Sequence, residues 1–242
     1  MWVLINQNAP KAAKLALKAY GKLIEFASNG IAYPGVSGHV DVFMAQLPDG
    51  SLVIAPNTPL EFQRHFIMNQ IPFVIGKKKV KDHYPHTAHY NAVITPTHII
   101  HHIKHTDSIL SEHCSKLISI HVHQGYSACN VIALPGNIFL TGDNGIFNTL
   151  LEKGLNAHFI NDKDVVLKRF NHGFWGGAVG IYQNKLFVCG NLAYHSAGEK
   201  IRHIAKEANV EIVELFDGIV NDVGGIRFID ETLSKIDNRS GN

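Results

Sequence analysis

Charge is scarce in this sequence. Asp, Glu, Lys and Arg make up 17% of its 242 residues, and the two signs nearly cancel to a formal net charge of +2. That balance argues against a nucleic-acid or membrane-surface partner, since both need a concentrated basic face. The one basic run, Lys77-Lys78-Lys79, reads as a solvated turn. Cysteine is scarcer still. Cys114, Cys129 and Cys189 are odd in number and lack metal-ligand spacing, which excludes a disulfide framework and a cysteine-built zinc site. Long apolar runs are missing too. No segment approaches the roughly 20 residues that a membrane helix requires, and the opening "MWVLINQNAPK" is too briefly apolar for a secretory signal. A soluble protein in a reducing, cytoplasmic setting is expected, with enough chain for a sizeable core.

Histidine, by contrast, is plentiful, with 16 in all. The stretch "HIIHHIKH" and the series His83, His86, His89 invite a zinc reading, but neither H-E-x-x-H nor H-x-H-x-D occurs. These histidines read equally well as exposed strand positions beside a turn, and no metal is expected.

The chain also repeats itself. Residues 38–57, 88–107, 127–145 and 175–194 each run from a small or polar start through an apolar stretch and a turn to a second apolar stretch. Pro48-Asp49-Gly50, Pro135-Gly136-Asn137 and Gln183-Asn184 supply the turns, so four hairpins recur at a period of roughly 45 residues. Between them a helix always precedes a short strand. "TPLEFQRHFIMNQ" leads to "IPFVIG", with Thr58, Pro59 and Glu61 forming a capping box. "SAGEKIRHIAKEAN" leads to "VEIVEL", with Ser196 and Glu199 forming another. Asp107 and Asp143, after hairpins, read as helix caps. This parse gives five helix–strand units, each followed by a hairpin, within a single domain over residues 1–242. The fifth hairpin lacks a strand before the polar tail "ETLSKIDNRSGN", and "WVLI" at the other end is expected to supply it, closing a ring.

A ring of five α/β units resembles the pentein, or guanidine-modifying-enzyme, fold: a five-fold pseudo-symmetric α/β propeller. "GHVD" (residues 38 to 41) is similar to the Gly-His-x-Asp of arginine and agmatine deiminases. "QGYSACN", "GFWGGAVG", "AYHSAGEKI" and "NDVGGI" together most resemble a bacterial pentein-fold family of unassigned function. The resemblance implies a cysteine that attacks a guanidinium carbon, a histidine that moves protons, carboxylates that hold the cation, and no cofactor. One departure is plain. Where the deiminases end in Gly-Gly-x-His-Cys, this chain has "GGIRF", with Arg227 and Phe228 at the last two positions. Phenylalanine cannot be a nucleophile.

The nucleophile must then come from elsewhere in the ring, where each hairpin's first strand starts near the axis. "GHVDVF" read as a strand puts His39 and Asp41 on one side. Lining up the repeats matches Asp41 with Asn91 and Asn130, with Cys129 beside them. Cys129, His39 and Asp41 are the candidate catalytic residues: thiol nucleophile, proton shuttle, and orienter of the imidazole or holder of a cation. On this reading Cys129 is activated, ionising below the model thiol value. Asn91, Asn130, Tyr126, His195, Asp222 and Arg227 are candidate ligand-binding residues, with Arg227 suited to a substrate carboxylate. Two classes of function follow. One is a cysteine-dependent hydrolase, deiminase or amidinotransferase-like enzyme acting on a small guanidino, amidino or amide compound. The other is a non-catalytic pocket for a cationic or amino-acid-like small molecule. A metal-dependent hydrolase stands third. The oligomeric state is left open.

Overall fold

The computed structural model describes residues 1–231, so the polar tail beyond Glu231 lies outside the described residues. The chain opens with β1 (Trp2–Asn6), α1 (Lys11–Leu17) and β2 (Lys22–Phe26). Four stretches of similar plan follow. The first holds α2 (Val40–Phe43), β3 (Met44–Gln46), β4 (Leu52–Ile54), α3 (Leu60–Met68) and β5 (Phe73–Ile75). The second holds β6 (Val93–Ile94), β7 (His98–His101), α4 (Ser108–His113) and β8 (Ile118–His121). The third holds α5 (Ser127–Asn130), β9 (Val131–Leu134), β10 (Ile138–Thr141), α6 (Asn144–Glu152) and β11 (Asn156–Phe159). The fourth holds a 3-10 turn, Gly176–Ala178, then β12 (Val179–Tyr182), β13 (Lys185–Val188), α7 (Gly198–Glu207) and β14 (Glu211–Glu214), and β15 (Arg227–Ile229) comes last.

These strands form five three-stranded sheets, β15-β1-β2, β3-β4-β5, β6-β7-β8, β9-β10-β11 and β12-β13-β14. Each has an antiparallel pair on one side of its middle strand and a parallel pair on the other. The helix between the middle and third strands makes the crossover that a parallel pair needs. The repeat is therefore hairpin, helix, strand. The expected order, helix–strand followed by hairpin, cuts it at the wrong place: each helix–strand belongs to the hairpin before it. Where hairpins were expected they do form, with positive φ at Gly50, Gly136, Asn137 and Gln183 in the turns.

β1 pairs antiparallel with β15, Leu4 opposite Arg227, and parallel with β2, Leu4 opposite Ile24. The strand from one end of the chain thus completes the sheet begun at the other. It does so as the middle strand, and so unites the first and last stretches. The first strands of all five sheets, β3, β6, β9, β12 and β15, line one cavity of about 560 Å³.

Two expectations at helix starts fail and two hold. Pro59 sits at the N-cap of α3, and the buried Thr58 hydroxyl has no hydrogen-bond partner, so it caps nothing. Ser196 bonds Asp164 instead of the start of α7, whose N-cap is Ala197. Asp107 and Asp143 do cap, accepting from Ile109 N–H at 2.9 Å and Ile146 N–H at 2.8 Å.

Candidate functional site

"GHVDVF" is not a strand. His39 is extended, and Val40–Phe43 then makes one helical turn before β3 begins at Met44. Ser127–Asn130 and Gly176–Ala178 turn in the same way before β9 and β12. The turns aim backbone groups at neighbouring sheets. Asp41 N–H donates to Gly224 C=O at 3.1 Å, and Ala128 N–H to Asn91 C=O at 3.0 Å. They also change the alignment of the repeats. Met44, Val131 and Val179 are equivalent, each opposite the last residue of its middle strand. Asp41 therefore matches Ala128 and Gly176, while Asn130 matches Phe43. The expected match of Asp41 with Asn130 is off by two residues, because Val42 and Phe43, which look like the start of the apolar strand, belong to the helical turn before β3, whereas Val131 begins β9.

The turns nevertheless bring the polar set together. The Cys129 Sγ–H donates to Asp41 Oδ2 at 3.0 Å, and Asn91 Nδ2 donates to Sγ at 3.0 Å. The Cys129 backbone N–H donates to Asn91 Oδ1 at 3.0 Å, which fixes which end of the amide faces the sulfur. His39 Nδ1 stands 4.0 Å from both Asp41 Oδ1 and Asp222 Oδ1. All of these side chains are buried. Neither ring nitrogen of His39 has a hydrogen-bond partner, nor has Asp41 Oδ1. Buried polar atoms left so are costly, and a site that binds a ligand is one setting where they persist.

Asp222 is held by Phe174 N–H and Gly224 N–H, both at 3.0 Å. Two glycines make room here. A Cβ on Gly177 would lie 2.1 Å from Asp222 Oδ1, and one on Gly224, at φ +74°, would lie 2.3 Å from the His39 Cβ. Only glycine allows carboxylate and imidazole to approach the backbone so closely.

Burial sets the protonation of the group. It lowers the His39 pKa, so the imidazole is neutral at pH 7, although Asp41 pulls the other way. It raises Asp41, against the opposing pull of His39 and Arg227. Asp222 is pushed up to about 6 by burial, its two backbone donors only partly offsetting that. Cys129 is raised well above its ordinary value, first by burial and then by the charges of Asp41 and Asp222. The expected activation is thus reversed: the thiol keeps its proton and shares it with Asp41.

A cavity of about 330 Å³ opens onto Cys129, His39 and Asp222. Its walls are largely apolar and aromatic: Tyr33, Val36, Val42, Tyr126, Leu167, Phe170 and Phe174, with Asn171 and His172 as further polar groups. Tyr126 Oη bonds Thr87 Oγ1 and lies 3.3 Å from Tyr33 Oη. Asp41 does not line the cavity but stands behind the thiol.

The other candidates lie elsewhere. Asn130 donates to Tyr126 C=O at 2.8 Å within its own turn. His195 packs on Trp175 and accepts from Ala197 N–H at 2.9 Å. Arg227 lines the five-strand cavity rather than this one. No Lys or Arg is among the residues lining the Cys129 cavity, so the charge pair that suggested an amino-acid-like ligand is not assembled there. Cys114 and Cys189 are buried thiols, raised by burial to about 11 and about 12. The aromatic wall from Tyr33, Phe170 and Phe174 went unnoticed in the sequence. It comes from loops between sheets, where no periodicity marks a residue's direction; the only local signal was the aromatic density of "FNHGFW".

This is an α/β protein in which a thiol, an imidazole and one carboxylate line a single pocket, with a second carboxylate bonded to the thiol from behind. The chain belongs to a family of unknown function (DUF6873), whose model matches residues 4–227 and so spans every residue of that pocket. No curated protein matches the chain.

Proposed function

We propose that the protein is a cysteine-dependent hydrolase or deiminase of a small guanidino, amidino or amide compound, carried on a five-fold α/β propeller of the pentein type. The fold half of this reading is supported by the cavity to which all five sheets contribute their first strands. The chemical half rests on one contact, Cys129 Sγ to Asp41 Oδ2 at 3.0 Å, beside an imidazole with both nitrogens free.

The pocket is lined by one carboxylate, Asp222, and the thiol, with Asp41 behind the sulfur, and by no Lys or Arg, so a cationic head group is the complement it lacks. Bound against Asp222, such a cation offsets the negative charge and favours passage of the Cys129 proton to Asp41. The thiolate then adds to the central carbon, its electron pair forming the C–S bond while the C=N pair moves to nitrogen. Collapse breaks a C–N bond, and the proton reaches the leaving amine through His39. Water attacks the resulting thio-linked intermediate, gives a proton to His39, and expels the sulfur, which regains its proton. The balance is one water consumed and one ammonia or amine released. An amine in place of that water makes the same intermediate a donor in amidino transfer. The raised thiol favours a second reading, a pocket that binds a cation without turnover.

Alkylation separates the two. 2-Chloroacetamidine carries the cation, and 2-chloroacetamide is its neutral counterpart. Relative to a free model thiol, Cys129 should react preferentially with the cationic reagent. Asp41→Asn should slow that reaction about a hundredfold, the lower end of what a general base contributes. Protection of Cys129 from both reagents would remove the catalytic reading and leave the binding one.

A further inference from the structure

We propose that His102, His121 and His123 form a binding site for a divalent cation of the zinc class, separate from the Cys129 pocket. One ring nitrogen from each of the three lies within 4.8 Å of the other two, and no second group of three or more His, Cys, Asp or Glu does so among the described residues. Neither histidine run that stands out in the sequence forms the cluster by itself. It draws one residue from "HIIHHIKH" and two from the end of "ISIHVH", which is why spacing alone conceals it.

The topology explains the meeting. β7 and β8 run parallel with His101 opposite His121, so the turn after β7 falls beside the end of β8. His121 ends β8 and His123 lies two residues on, with Val122 buried between them and the two rings 5.2 Å apart. Ile103 N–H donates to His121 Nδ1 at 3.3 Å, which ties this ring to the turn that carries His102. His102 is set in place by His105, whose ring stacks on it at 4.0 Å and 16°. An independent observation points to a ligand: His102 Nδ1 is buried and has no hydrogen-bond partner. In the tautomer that protonates Nε2, this nitrogen offers a free lone pair, and a metal ion is one partner that fits it in a neighbourhood of other imidazoles.

Three nitrogen donors suit zinc, nickel or copper rather than calcium or magnesium, which take oxygen. Zinc–nitrogen bonds of about 2.0–2.1 Å require each ring to move inward by less than about 1 Å, a small rotation about the side-chain torsions. His121 and His123 are exposed, so the fourth position faces solvent and takes water or an outside ligand. The ion would pin the turn after β7 to the segment that continues through Gln124 to Tyr126, a wall of the Cys129 cavity.

Metal-stripped protein without an affinity tag is titrated with Zn²⁺ against a chromophoric chelator. The expected result is one saturable equivalent in the micromolar range or tighter, accompanied by a rise in Tm. His121→Ala and His123→Ala should each weaken it by more than about a hundredfold, beyond the usual cost of a second-layer change. Both residues are exposed, so these variants should keep the wild-type fold by circular dichroism. Cys129→Ala and His83→Ala/His86→Ala should bind as the wild type does. Absence of saturable binding would overturn the site. So would wild-type affinity in His121→Ala and His123→Ala, including the case where zinc is lost in Cys129→Ala or His83→Ala/His86→Ala instead.

Discussion

A thiol and a carboxylate 3.0 Å apart, both out of water, have one proton between them, because two buried negative charges at that distance repel strongly. Asp222 adds a third acid with a pKa of about 6. This fixes the sign of a pH dependence. Above about 6 Asp222 is ionised and attracts a cation, and below it the carboxyl is neutral and that attraction goes. Reaction of 2-chloroacetamidine with Cys129 should therefore fall as pH drops through about 6. Asp222→Asn should abolish that limb and slow the reaction at pH 7.5 by about tenfold. A profile unchanged by the substitution would remove Asp222 from the cation site. The residue scale was the most legible from sequence. His39 and Asp41 stand out as polar groups among apolar neighbours, Cys129 by its place where a hairpin starts, and the fold does gather them. Their roles were not legible. Whether a carboxylate lines a cavity or stands behind a thiol depends on a direction that a helical turn reverses, and nothing in "GHVDVF" announces the turn.

Hairpin turns and aspartate caps act within a few residues, so their chemistry can be read locally; Pro-Gly-Asn and the caps at Asp107 and Asp143 were visible for that reason. Thr58 and Ser196 fit the same local rule and fail it. Ser196 is drawn to Asp164, a residue 32 positions away, and no local rule sees such a partner. Unit boundaries failed for a similar cause. Sequence order cannot say whether a helix and strand join the hairpin before or after them, whereas the parallel pairs β4–β5, β7–β8, β10–β11 and β13–β14 decide it. Asp107 shows what one local cap can also do at long range. Its Oδ1 accepts from the α4 backbone at Ile109, and its Oδ2 from Lys77 N–H at 2.8 Å and Lys78 N–H at 2.6 Å. Burial pushes this carboxyl up, but these backbone donors outweigh it and hold the pKa below the usual value. Its stabilisation is therefore present above the unfolded-state pKa of about 3.9 and is lost as pH falls through the lower folded value. Asp107→Ala should cost about 1–3 kcal/mol at pH 7, since it removes a helix cap and strands several N–H donors, most of them part-buried. Urea unfolding at pH 7 and pH 3 checks both statements: the variant's deficit should shrink at the acid end.

At the scale of the whole molecule, β1 decides whether five sheets behave as one body. All five of its residues are buried, and it is the only strand of its sheet with two neighbours, β15 and β2. Its side chains alternate between two cores. Trp2 and Leu4 join the cluster that holds Phe26, Phe43 and Phe66. Val3 and Ile5 join the one that holds Phe187, Leu215 and Phe228. One strand thus couples sheets drawn from both ends of the described chain, and a change on it should be felt on both sides. Leu4→Ala removes a fully buried side chain and should cost about 2–5 kcal/mol, the range for leucine truncation in a packed core. The transition should stay single and coincident for intrinsic fluorescence and far-ultraviolet circular dichroism, because both cores lose their link together. Deleting residues 1–6 leaves β2 and β15 with unpaired edges, and the expected product unfolds without a cooperative transition and aggregates. Two separate transitions in Leu4→Ala, or a cooperative melt after the deletion, would mean that the sheets on either side of β1 fold independently of it.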